Sequence, residues 1–116
     1  LDGKDDVSEV SDILFDLTRK ETRTFSHFFA RSLVSYWKEA GKLNKNPLRA
    51  AGFRVLMAHD VPSVLLELGY LSSRAEAAKM SQPEWREKSA AAVAKSIDVF
   101  FSPRAAANGA SPQVSQ

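Results

Sequence analysis

The stretch Val61-Pro62-Ser63-Val64-Leu65-Leu66-Glu67-Leu68-Gly69-Tyr70-Leu71-Ser72-Ser73 decides how this chain is read. Ser63 to Leu68 is a short apolar run closed by Gly69, with apolar residues pointing both ways. That is the form of a strand covered on both faces, as in a central or parallel position. Glu67 is the exception within it. Burying a lone carboxylate costs free energy unless a cation or hydrogen-bond donors compensate, or unless it holds a proton. Two readings of Glu67 follow. A carboxylate where a strand ends at a glycine is a candidate general acid or base. The plainer reading is a residue at the rim of a sheet, or one paired with a nearby arginine, because structural ion pairs occupy similar places.

Upstream, Phe53, Val55 and Met57 alternate with Arg54, Leu56 and Ala58, which reads as a strand over Gly52 to Ala58. Asp60 to Pro62 is the turn between the two strands. Two strands with apolar faces need more sheet beside them. The expectation is therefore an α/β fold of which a part lies outside this sequence. The chain begins at Leu1 rather than Met, which reads as a mature product or a piece of something longer.

Helical spacing brackets the strands. Residues 1–6 read as a loop, and Val10, Ile13, Leu14 and Leu17 mark a short first helix from Val7, with Ser8 or Asp6 as its cap. A second helix over Thr22 to Ala40 puts Phe25, Phe28, Phe29, Leu33, Trp37 and Ala40 on one face, as a core stripe ended by Gly41. Ser73-Arg74-Ala75-Glu76 and Ser81-Gln82-Pro83-Glu84 both have capping-box form. They open a short helix to about Met80 and a longer one to about Phe101. From Pro103 to Gln116 the composition is Ala, Ser, Gly, Pro and Gln with one charge, Arg104, and is read as disordered.

Composition narrows the function classes. A chain of 116 residues is at most one domain, and 44% apolar with 26% charged residues is ordinary for a globular protein. No run approaches the roughly 18 apolar residues of a membrane span, so no transmembrane segment is expected. The absence of cysteine excludes disulfides and thiolate metal sites. The net charge of +2 hides an asymmetry. Asp2, Asp5, Asp6, Glu9, Asp12 and Asp16 stand against Lys4 alone in the leader, and residues 17–59 are strongly basic. Such a leader can dock on the basic body, on a metal or on a partner, or both can be solvated faces. The basic residues lack an aromatic stacking pattern, so nucleic-acid binding is not expected. The histidines His27 and His59 lack the short helical spacing of a zinc site; His27 reads as a helix residue among phenylalanines and His59 as a turn residue.

Pro62 to Ser73 resembles a C-terminal motif of the zinc-dependent N-acetylmuramoyl-L-alanine amidases that separate bacterial daughter cells. That motif reads Pro-Ser-Val-Leu-Val-Glu-x-Gly-Phe-(Leu or Ile)-Ser-Asn, and Tyr70 and Ser73 are mild departures from it. Asn46-Pro47-Leu48-Arg49-Ala50-Ala51-Gly52-Phe53-Arg54-Val55-Leu56 is similar to the preceding family segment. Ser81-Gln82-Pro83-Glu84-Trp85-Arg86 is similar to the start of the last family helix, and Val10 to Thr18 to the segment before the long helix. The resemblance covers about residues 7–101.

The resemblance implies a mixed, mostly parallel sheet flanked by helices, of which this chain is the C-terminal half. It implies a zinc ion held by two histidines and a glutamate, all N-terminal to the region present, so that no residue of this chain is a metal ligand. It makes Glu67 the catalytic base, peptidoglycan the substrate and the periplasm the location. The bond cut joins N-acetylmuramic acid to L-alanine of the stem peptide. In the cell-separation subgroup a helix before the long helix blocks the cleft until an activator protein removes it. Residues 1–21 are then an acidic leader with a candidate regulatory helix, 22–102 the half-domain and 103–116 the tail. Glu9 is the candidate acid that reaches the zinc, against a plain linker helix with solvated acids. The chain alone is not expected to be catalytic. Two other classes stay open: a non-catalytic regulatory or binding module of the cell-wall machinery, and a small helical adaptor whose basic face, with Arg31 and Lys38, binds an acidic polymer.

Overall fold

After Gly3 neither proline nor glycine interrupts the chain before Gly41, and in the computed structural model Gly3 to Ala40 form one helix. The structure describes residues 3–109, with side chains to Ser102. Its helices are α1 (Gly3–Ala40), α2 (Arg74–Met80) and α3 (Pro83–Gly109). At 1.5 Å per residue α1 is about 57 Å long. Asp5 and Asp6 in its first turn and Lys38 in its last complement the helix dipole. Residues 3–6 of the loop expected over residues 1–6 are helical, residues 1–2 lie outside the described residues, and the break expected between Leu17 and Thr22 is absent. The hydroxyl residues near that junction fold back instead of breaking the helix. Thr18 donates to the Leu14 carbonyl, Thr24 to Lys20 and Ser26 to Thr22, each at 3.0 Å.

α3 opens with Pro83 at the first helical position, where a missing N–H costs nothing. It runs antiparallel to the second half of α1. Phe29 meets Phe100 with ring centroids 5.0 Å apart, and Trp37 meets the edge of Trp85 at 6.1 Å. Between them Ser32 Oγ donates to the Ser96 carbonyl at 3.4 Å. Ser96 is fully buried, and its own hydroxyl donates to Ala92 at 2.7 Å. Small residues at this seam let the helices approach. Among the described residues Leu33 and Trp37 are the buried apolar ones, so the core lies between α1 and α3.

Ser73 caps α2 as its sequence form predicts, accepting from the Glu76 N–H at 3.4 Å. Ser81 does not cap α3. It ends α2, with its hydroxyl on the Ala77 carbonyl at 3.0 Å, and Arg86 N–H bonds to Gln82 at the start of α3. α3 continues past Phe101 to Gly109; the rest of the tail read as disordered, residues 110–116, lies outside the described residues.

The expected α/β fold, with its mixed, mostly parallel sheet, is contradicted: the described residues contain helices and no strand. Where the first strand is expected, Arg54 to Leu56 form a single 3-10 turn. Leu56 N–H closes on Phe53 and Met57 N–H on Arg54, so donors that a ladder would use are spent locally. Over Ser63 to Leu68 no neighbouring strand supplies ladder bonds, and the Ser63 N–H is taken by Ser26 Oγ of α1 at 2.9 Å. Alternation marks a segment suited to a sheet, but only a hydrogen-bonding neighbour makes it a strand. The segment is not covered on both faces either: Leu65, Leu66 and Leu68 are exposed. The architecture is an antiparallel helix pair with the short α2 and an irregular 41–73 segment beside it. The radius of gyration is 20.0 Å. A globular domain of this length would have about 13 Å.

Candidate active site around Glu67

Glu67 sits in the irregular segment just before α2, and its side chain is half exposed. The burial penalty that the apolar run suggests therefore does not arise. A cation is present all the same. Arg49 Nη2 donates to Glu67 Oε2 at 2.8 Å, bridging from a loop 18 residues upstream. The Tyr70 side chain hydrogen-bonds to Arg49, and with the Glu67 charge it raises the guanidinium pKa further. Arg49 is thus a fixed cation beside the carboxylate.

The far side of this loop is tied to α2. The Glu76 carboxylate accepts from the Tyr70 N–H at 2.5 Å, and the Ser73 N–H closes on the Tyr70 carbonyl at 3.1 Å. A capping-box glutamate usually returns to the cap residue's own N–H. Here Glu76 reaches three residues further back and pins the backbone that follows Glu67. It passes close over Gly69, where a Cβ would lie 3.1 Å from Glu76 Oε2 and 3.4 Å from Met80 Cε. Ser73, Glu76 and Tyr70 thus fix one end of the Glu67 loop, and Arg49 fixes the carboxylate itself. The chemical capacity of this cluster is that of an oriented, solvent-accessible carboxylate.

The other candidates lie elsewhere. Glu9 is exposed on the first half of α1 and is not part of the Arg49–Glu67–Tyr70–Glu76 cluster. His27 is exposed on α1. His59 stacks at a tilt on Phe15, with ring centroids 4.6 Å apart, and so braces the loop against α1. Among the described residues no three His, Cys, Asp or Glu side chains gather where they could hold a metal ion. The described residues therefore do not fit as a zinc site. Arg49 and Glu76 are members of the cluster that sequence reasoning did not single out. In the sequence Arg49 is one basic residue within a longer motif, and Glu76 has the place of a cap residue. No helix among the described residues is long and apolar enough to cross a membrane.

Comparison with known proteins places this cluster inside a matched region. The N-acetylmuramoyl-L-alanine amidase AmiC of Escherichia coli O6:H1 is 29% identical over 92 residues, covering 79% of this chain and 22% of AmiC. The N-acetylmuramoyl-L-alanine amidase AmiA of Escherichia coli K12 is 29% identical over 89 residues, 77% of this chain and 31% of AmiA. An uncharacterized cell wall amidase of Bacillus anthracis is 42% identical over 47 residues, 40% of this chain and 9% of that protein. The chain thus spans less than a third of the length of these curated relatives. No solved structure matches it. The family model described as N-acetylmuramoyl-L-alanine amidase matches residues 11–99, which contain Arg49, Glu67, Tyr70 and Glu76, and the chain belongs to that family.

Proposed function

We propose that the chain is the Glu67-bearing part of a peptidoglycan amidase that cuts between N-acetylmuramic acid and L-alanine of the stem peptide. The observation that carries the reading is the oriented, half-exposed Glu67 carboxylate within the family-matched region. In the hydrolysis, Glu67 takes a proton from the attacking water as its oxygen bonds to the lactyl carbonyl carbon. It then passes that proton to the alanine nitrogen as the carbon–nitrogen bond breaks. The products are a carboxylic acid on the sugar and a free amine on the peptide. Family resemblance brings zinc to such a site. The described residues do not fit as its ligands, so a zinc in the working enzyme is held by other residues.

A peptidoglycan substrate implies activity outside the cytoplasmic membrane, and the family resemblance adds the periplasm as its place and cell division as its setting. The first half of α1 is the regulatory element in this reading. Its Val7, Val10, Ile13, Leu14 and Leu17 are each more than half exposed, a surface for an activator protein. Glu9 lies on the same stretch as the acid that would face the metal.

The test is to digest purified peptidoglycan with the intact protein and identify the products by mass. Stem peptides with a free L-alanine amine and uncut glycan strands are expected. Cuts in the glycan or between peptide residues would overturn the assignment. Bound but uncut peptidoglycan would turn it to the non-catalytic binding module.

A further inference from the structure

Arg49 and Glu67 meet through one donor and one oxygen, Nη2 to Oε2, and not through the paired fork that arginine can offer a carboxylate. A forked pair would engage both carboxylate oxygens. A single contact leaves the second oxygen, Oε1, for another proton partner. The two side chains are 55% and 50% exposed, so the pair adds little to folding stability. Its geometric effect is larger. Half of the Glu67 side chain is exposed, and Arg49 is the side chain that holds its carboxylate. Arg49 is itself steadied by the Tyr70 side chain, whose backbone N–H is held by Glu76.

We propose that Arg49 is a positioning residue that holds Glu67 by Oε2 and presents Oε1 to the attacking water. The proposal rests on Glu67 being the base of the amidase reaction. Misplacing a reacting group by about 1 Å can cost on the order of 10²-fold in rate. Arg49 acts on turnover through Glu67 and not through substrate affinity.

The test compares the intact, metal-loaded protein with Arg49→Gln, Arg49→Lys, Glu67→Gln and the double variant Arg49→Gln/Glu67→Gln, measuring kcat, KM and melting temperature on a defined muramoyl-peptide. Arg49→Gln should lower kcat by about 10–100-fold, with KM and melting temperature unchanged. Arg49→Lys, which keeps a cation and one donor, should recover part of the loss. In the Glu67→Gln background the Arg49 change should cost nothing more, because the group it acts on is gone. Wild-type kcat in Arg49→Gln beside an inactive Glu67→Gln would overturn the positioning role while leaving the base intact. A raised KM with unchanged kcat would overturn it in favour of substrate binding. A fall in melting temperature that Arg49→Lys shares, with equal loss of kcat, would reduce Arg49 to a structural residue. An active Glu67→Gln would remove the base, and this proposal with it.

Discussion

Gly69 is bare because the Glu76 carboxylate crosses it. Its φ is not positive, so the backbone does not demand glycine; the space does. Gly69→Ala would push its methyl to 3.1 Å from Glu76 Oε2 and loosen the bond that Glu76 accepts from Tyr70 N–H. The expected result is a loss of about 1 kcal/mol in stability, the scale of one hydrogen bond, with a several-fold drop in turnover. Thermal melting and a rate assay on the same sample check both. Glu67 itself is partly legible from the sequence. A carboxylate in an apolar run needs a partner, and an arginine partner is one of the readings the residues allow. Which arginine is not legible. Arg49 lies across a 3-10 turn, and no periodic spacing links it to Glu67.

Helices are the elements the residues specify best, because their hydrogen bonds and caps are local. Ser73 caps α2 where the sequence puts it, and α3 starts at Pro83, one residue later than a Ser81 cap would place it. Strands are specified worst. Gly52 to Ala58 and Ser63 to Leu68 have the right residues, but a ladder requires bonds from another segment, and none is adjacent among the described residues. At the seam between α1 and α3, Ser89 is buried with a hydroxyl that has no hydrogen-bond partner among the described residues. Ser89→Ala removes that orphaned group and should raise stability by about 1 kcal/mol, read as a higher melting temperature. α1 poses a different question. It is continuous through residues 17–22, so its exposed first half is a rigid extension of the packed second half. Deleting Val7 to Leu17 removes mostly exposed side chains, but also Phe15 and its stack on His59, so melting should fall slightly. If this arm restrains the enzyme, basal peptidoglycan hydrolysis rises in the deletion. Unchanged or lower activity would identify it as a linker.

At the level of the molecule, a 20.0 Å radius of gyration and, among the described residues, two buried apolar side chains against many exposed large ones mark a scaffold with little interior. The proposed function is concentrated in one loop, tied to α1 through Ser26 and to α2 through Glu76. The family match over residues 11–99 and the oriented carboxylate within it both support the proposed amide hydrolysis in peptidoglycan. That convergence stands or falls on Glu67. The measurement is kcat for release of stem peptide by the intact protein carrying Glu67→Gln, with circular dichroism and metal content taken on the same sample. A loss of about 10²–10⁴-fold, with fold and metal content unchanged, is the predicted result. Turnover at the wild-type rate would show that Glu67 moves no proton, and that the base lies elsewhere.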